Sequence, residues 1–116
     1  MIDMTAVYVE LPLFSDPSYQ YGAAVENRAR QFKFNWNDRT KTWQMDIYND
    51  DGTPVLLGMR LVPQFPMFVD YPLSKYGLTG YFILVQKNAN QLGRSNSLIT
   101  DIPERYTLFY VFEEVQ

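Results

Sequence analysis

The chain of 116 residues is long enough for one small domain with a hydrophobic core, and its formal net charge of −3 argues against a nucleic-acid-binding surface. It contains neither Cys nor His, which excludes disulfides and thiol chemistry and removes the commonest general base at neutral pH. We therefore expect a protein that is not an enzyme and that binds no cofactor, metal, nucleic acid or membrane.

The first predicted elements are strands. Residues 6–11 read as a strand that ends at Pro12, because proline cannot donate to a β-ladder. After a turn at residues 15–18, residues 20–26 and 28–36 are predicted to form a hairpin with Asn27 in its turn. A helix over residues 22–30 is the alternative, but the alternation that starts by Arg30 and the presence of Gly22 favour strands.

The central hairpin is the clearest pattern, within the most diagnostic segment, residues 32–62. Apolar and polar side chains alternate with period two on both strands, as in a sheet with one buried face. With Trp36 opposite Trp43, the register places Phe34 beside Met45 and Phe32 beside Ile47. Turns are predicted at residues 37–40 and 49–52, where Asn, Asp and Gly favour turn conformations.

The next strand is predicted at residues 55–62, with Gly58 and Arg60 on one face and Leu57 and Leu61 on the other. Gly58 marks a bulge or a close backbone approach. Asp46 and Arg60 lie on neighbouring strands, and we expect an ion pair between them that either sets the register or is merely exposed.

The C-terminal half is less regular. Prolines interrupt the apolar residues 63–72, so this segment cannot lie in a central sheet. Residues 81–86 form a predicted strand, residues 87–97 a polar loop, and residues 105–115 a last strand that is apolar on both faces. The predicted fold is all-β: residues 1–116 form a single small antiparallel β-sandwich or open barrel built from hairpins.

Few residues suggest chemistry. Residues 49–52 resemble part of a calcium loop, but Ile47 and Gly58 occupy positions where acidic ligands are required. Asp46 and Asp50 are a candidate acid pair for a hydrolase, although nothing indicates a cleft. Trp36 and Trp43 are either core residues, which their shared apolar face favours, or a platform for a sugar or peptide.

Apolar side chains outside the central hairpins exceed what one small domain buries, which predicts contact with other chains. The candidate interface residues are Phe65, Met67, Phe68, Tyr71, Tyr76, Tyr81, Phe109 and Val111.

The central segment resembles a family of tailed-phage proteins, the baseplate plug family first described for a cyanophage with a contractile tail. The resemblance lies in the pattern WNDR, WQMDIY, DGTP and LLGMRL, in that order. Its matching positions, which we interpret as fold determinants, are Trp36, Asn37, Arg39, Trp43, Asp46, Tyr48, Asp51, Gly52, Gly58 and Arg60.

The resemblance implies a structural protein of the virion, in the baseplate hub between tail tube and spike. Such a subunit would help to seal or organise the axial channel before contraction, and would be assembled in the cytoplasm of the host bacterium. Its expected partners are hub, tail-tube and spike proteins and further copies of itself, with threefold or sixfold symmetry. The alternative is a carbohydrate- or peptide-binding β-sandwich that uses Trp36 and Trp43.

Overall fold

The structure, a computed structural model, describes residues 4–63, 78–87 and 98–115. These residues form two antiparallel sheets and one short helix, which confirms the predicted all-β class. In chain order the elements are β1 (Met4–Leu11), β2 (Ser18–Val25), β3 (Arg28–Asn37), β4 (Thr42–Asn49), β5 (Pro54–Arg60), β6 (Tyr81–Gln86), α1 (Asp101–Arg105) and β7 (Tyr106–Val115).

Four consecutive strands form the larger sheet, in the order β2-β3-β4-β5. The predicted register of the central hairpin is confirmed: Trp36 pairs with Trp43, Phe34 with Met45 and Phe32 with Ile47. All of these side chains except the half-buried Trp36 are buried. The period-two pattern therefore specified both the pairing and the buried face.

The turns of this sheet follow from the residues that occupy them. Glu26 and Asn27 join β2 to β3 with φ angles of 49° and 66°, the left-handed pair that matches the twist of a two-residue hairpin. Residues 22–30 are thus strand and turn, not helix, although Glu26 belongs to the turn and not to the strand. In the β4–β5 turn, Gly52 has φ 90° and its amide donates to the Asn49 carbonyl at 2.9 Å.

β5 contains the predicted irregularity. Met59 pairs with Met45 and Pro54 with Tyr48, so five residue steps on β5 span three on β4. Gly58 has φ 74°, as a bulge residue without a Cβ can adopt.

The bulge overturns two expectations. Leu57 and Leu61 do not share a face, because the one extra residue between Leu56 and Met59 shifts the alternation: Leu57 is 56% exposed and Leu61 is 3% exposed. Asp46 does not pair with Arg60, because Arg60 lies opposite Gln44. The Asp46 carboxylate instead accepts a 2.6 Å hydrogen bond from the Gly58 amide.

The smaller sheet has the order β1-β7-β6 and brings together strands from both ends of the chain. Along the central strand β7, the alternate residues Tyr106, Leu108 and Tyr110 are buried. Arg105, predicted to begin this strand, ends α1 instead. A proline and two acidic residues early in residues 101–105 are the signal for this helical turn.

The core lies between the two sheets. Phe32 of the larger sheet meets Phe82 of the smaller one, edge to face, with ring centroids 6.3 Å apart. The Trp43 indole N–H donates to the Ile99 carbonyl at 3.1 Å. Beyond β5, Pro63 forms a single parallel bridge with Leu84, which joins the two sheets at one side of the sandwich.

Candidate functional site: an outer apolar face

The smaller sheet has a second apolar surface, which faces away from the core. Alternate residues of its three strands share this surface, because Val111 pairs with both Tyr8 and Tyr81, and Phe109 pairs with Ile83. We call it the outer apolar face; its members are Tyr8, Tyr81, Ile83, Val85, Phe109 and Val111.

Much of this face is open. Tyr8 is 63% exposed and Val85 is 42% exposed, while Tyr81, Ile83 and Phe109 are half-buried. The rings of Tyr8 and Phe109 meet edge to face at 6.1 Å. Exposed acidic residues, Glu10 and Glu113, lie on the same face. An apolar centre with polar residues nearby is typical of a protein–protein contact surface.

A shallow depression of about 430 Å³ lies at one end of the face. Val111 is 4% exposed and contributes little surface of its own, so it helps to form the floor of the depression. The residues that line the depression are Ala6, Tyr8, Thr79, Gly80, Tyr81, Val111, Phe112 and Glu113. A partner side chain is the kind of group that a shallow recess of this size accepts.

Gly80 sets how closely the start of β6 approaches β7. A Cβ at this position would lie 1.9 Å from the Val111 carbonyl oxygen, a distance that no side chain can adopt. Only glycine therefore allows the backbone to pass here, which brings Tyr81 alongside Val111.

A hydrogen-bonded cluster holds this segment against the larger sheet. The Glu26 carboxylate accepts hydrogen bonds from the Thr79 amide at 2.7 Å and from the Thr79 hydroxyl at 2.6 Å. The Tyr110 hydroxyl donates to the same carboxylate and accepts a bond from the Gly80 amide at 2.8 Å. Burial, and then the bond to Glu26, raise the pKa of Tyr110 above its ordinary value.

Arg30 lies nearby and is fully buried. Its guanidinium donates to the Asn49 side-chain carbonyl at 3.0 Å. Burial lowers the pKa of Arg30, while Tyr110 and Glu26 act in the opposite direction. A buried cation beside the Glu26 cluster offsets part of the cost of removing that carboxylate from water.

The two tryptophans do not form a ligand platform. Trp43 is 1% exposed and packs in the core, with its ring 5.6 Å from that of Trp36. A sugar could reach only Trp36, so the paired platform of the alternative hypothesis is absent. The interpretation of these residues as core is the one that the structure supports.

The residues considered for chemistry have structural partners. Of the candidate acid pair, Asp46 holds the β5 bulge, and Asp50 is exposed and accepts a hydrogen bond from the Gln31 side chain at 3.5 Å. In the segment that resembles a calcium loop, the Asp51 carboxylate accepts from the Thr53 amide at 3.0 Å. Within residues 4–63, 78–87 and 98–115, no group of three or more acidic side chains lies close enough to hold a metal ion. No helix in the same residues is long and apolar enough to cross a membrane.

The predicted interface residues are only partly placed. Tyr81, Phe109 and Val111 come together on the outer apolar face, whereas Phe65, Met67, Phe68, Tyr71 and Tyr76 lie outside the described residues. Sequence reasoning missed Tyr8 and Val85. The apolar run around Tyr8 was the available signal, because a strand that is apolar on both faces must be covered on both.

Together, the sandwich and its outer apolar face define a small β-protein suited to contact other proteins. The family model described as Cyanophage baseplate Pam3 plug gp18 matches residues 8–113. The chain belongs to this family of phage baseplate proteins, which confirms the resemblance noted in its central segment. A search of curated proteins finds no match to the chain.

Proposed function

We propose that this protein is a non-enzymatic subunit of the baseplate hub, which packs between tail tube and spike and helps to seal or organise the axial channel before contraction. Family membership supports a structural role in the baseplate. The position in the hub and the sealing role are the steps that we add.

The outer apolar face is the observation that carries this proposal. It presents Tyr8 and Val85, both more than 40% exposed, on a surface formed by the smaller sheet. A rigid sheet loses little conformational entropy when it docks, so its apolar area contributes efficiently to binding. We therefore propose that a neighbouring hub, tail-tube or spike protein covers this face.

We also propose that apolar residues of the proline-interrupted segment, and Tyr76 after it, contact other chains: Phe65, Met67, Phe68, Tyr71 and Tyr76. We further propose that several copies surround the tail axis with threefold or sixfold symmetry, since a closed ring fits an axial channel. Assembly would occur in the cytoplasm of the host bacterium, before the virion is released.

A density map of intact tails tests the location directly. The proposal expects density for this chain in the hub, with another subunit against Tyr8 and Val85. A map that places the chain at the baseplate periphery, or that leaves this face in solvent, would refute the proposed role.

A pair of matched variants tests the face itself. Tyr8→Glu places a charge on the outer apolar face, while Leu57→Glu places the same charge on an exposed leucine of β5, in the other sheet. Both positions are exposed, so we expect both variants to fold, as checked by circular dichroism. Only Tyr8→Glu should lose incorporation into tails; equal incorporation of both variants would contradict the assignment of this face.

A further inference from the structure

β2 is an edge strand whose free side carries an uncovered backbone. Among the residues that the structure describes, it pairs only with β3, and its two-residue turn makes Val25 and Arg28 a mutually hydrogen-bonded pair. Hydrogen-bonded pairs recur at every second residue of an antiparallel ladder, so the odd-numbered residues of β2 bond to β3. The Trp36 amide, which donates to the Pro17 carbonyl at 2.8 Å, fits this pattern. The peptide groups on the free side therefore belong to the even-numbered residues of the strand: Ser18, Gln20, Gly22 and Ala24.

This edge lacks the features that usually block strand addition. The sequence of β2, SYQYGAAV, contains no charged residue and no proline, and its pairing with β3 contains no bulge. The opposite edge of the sheet, β5, is bulged at Gly58. Within the part of the chain that the structure describes, no hydrogen bond outside the β2–β3 ladder involves the backbone of residues 18–25. Edges of this kind pair with other strands unless they are covered.

β2 is also complementary to itself. In an antiparallel pair of two copies with Gly22 opposite Gly22, the peptide groups that point outward on one copy meet those of the other. The side chains on the core side are then complementary in size, because each tyrosine lies opposite a smaller residue: Tyr21 opposite Ala23, and Tyr19 opposite Val25. Since the strand is uncharged, no like charges meet.

We propose that, in the free protein, the β2 edge is covered by β2 of a second copy in this register, about a twofold axis at Gly22. The pair joins two four-stranded sheets into one continuous sheet. A contact made mainly by one strand from each copy is smaller than a standard stable interface of roughly 1,200–2,000 Å², so the dimer is weak and reversible. This inference is independent of the proposed place in the hub, because it concerns the subunit before assembly.

Disulfide trapping tests the register. The chain has no cysteine, so Gly22→Cys introduces a single thiol at the proposed axis. Hydrogen-bonded partners in an antiparallel pair have Cα atoms about 5.5 Å apart, within the range of roughly 4.4–6.8 Å that a disulfide spans. The nearest atom to the new Cβ would be the flexible amide end of Gln31, at 3.1 Å, and the Arg30 carbonyl oxygen would lie at an ordinary contact distance of 3.7 Å.

The matched control is Ala29→Cys. Ala29 is exposed and pairs with Ala24, but it lies on β3, one strand away from the edge. Under mild oxidation, we expect Gly22→Cys to form a covalent dimer at least about tenfold faster than Ala29→Cys, because the β2–β2 pair holds the two introduced thiols close together. Equal rates for the two variants would overturn the proposal.

Sedimentation of the otherwise unchanged chain tests the dimer without a thiol. We expect self-association that Gly22→Lys weakens by roughly tenfold, because two lysines would face each other on the edge. Ala24→Lys, also on the free side, serves as a second edge variant should the Gly22→Lys substitution disturb the fold, and Ala29→Lys is the control that should associate normally. A strictly monomeric chain, or a dimer that both edge variants leave unchanged, would show that β2 does not pair with itself.

Discussion

The bond between Tyr110 and Glu26 ties the two sheets together, and its removal has a calculable cost. Tyr110→Phe deletes a hydroxyl that donates to a carboxylate and accepts from the Gly80 amide. A hydrogen bond to a charged group contributes about 1.5–3 kcal/mol and one between neutral groups about 0.5–1.5 kcal/mol. Because Glu26 is only half-buried and keeps both bonds from Thr79, we expect the lower end of the combined range, about 2 kcal/mol.

Thermal unfolding measures this loss. An unfolding entropy of about 2.1 cal/mol/K per residue gives roughly 4 °C per kcal/mol for a chain of this length, so Tyr110→Phe should lower Tm by about 8 °C. Tyr106→Phe is the matched control: Tyr106 is buried on the same side of β7, and no hydrogen bond of its hydroxyl to another described residue is found. The control should lose less than about 1 kcal/mol.

A double-mutant cycle separates the bond from the packing of the ring. Glu26→Asn shortens and neutralises the side chain while tolerating the positive φ of 49° at this position. If Glu26 and Tyr110 interact directly, the two substitutions together should cost about 1 kcal/mol less than the sum of their separate effects. Simple additivity, or a Tyr110→Phe variant as stable as Tyr106→Phe, would refute the reasoning.

Three further predictions concern glycine and tyrosine residues. Gly80→Ala should cost at least about 3 kcal/mol, because its Cβ would lie 1.9 Å from the Val111 oxygen; chemical denaturation that shows a loss under about 1 kcal/mol would contradict this contact. Gly58→Ala should cost only about 1–2 kcal/mol, since no atom lies within 4 Å of its Cβ and only the positive φ is strained, so a loss as large as that of Gly80→Ala would be inconsistent. Burial raises the pKa of Tyr19 to about 12 and also raises those of Tyr21 and Tyr110. The folded protein holds these phenolic protons more tightly than the unfolded chain does. The contribution of these tyrosines to the free energy of unfolding should therefore be fully present below about pH 10 and be lost as the pH rises above it. Urea midpoints and tyrosinate absorbance should show this fall, and a constant midpoint between about pH 9 and 12 would exclude it.

The sequence by itself determined the four-stranded sheet. Alternation from Phe32 to Ile47 specified which residues pair and which face is buried, because a one-residue slip would turn every apolar side chain to solvent. The turn residues Asn27 and Gly52 specified where the chain reverses, since they tolerate positive φ. These signals are local, and the hairpins β2–β3 and β3–β4 contain the information that their own pairing needs, whereas the pairing of β5 with β4 also depends on the bulge.

Only the tertiary structure decided how the two sheets meet and which apolar residues stay outside. Thr79 lies 53 residues from Glu26 in sequence, and Tyr110 lies 84 residues from it, so the cluster that joins them has no local pattern. The exposure of Leu57 depends on the one extra residue between Leu56 and Met59, and that of Tyr8 on the pairing of β1 with the other end of the chain. The residue type alone does not show whether an apolar side chain lies in the core or on a contact surface. The packing of distant strands decides between the two.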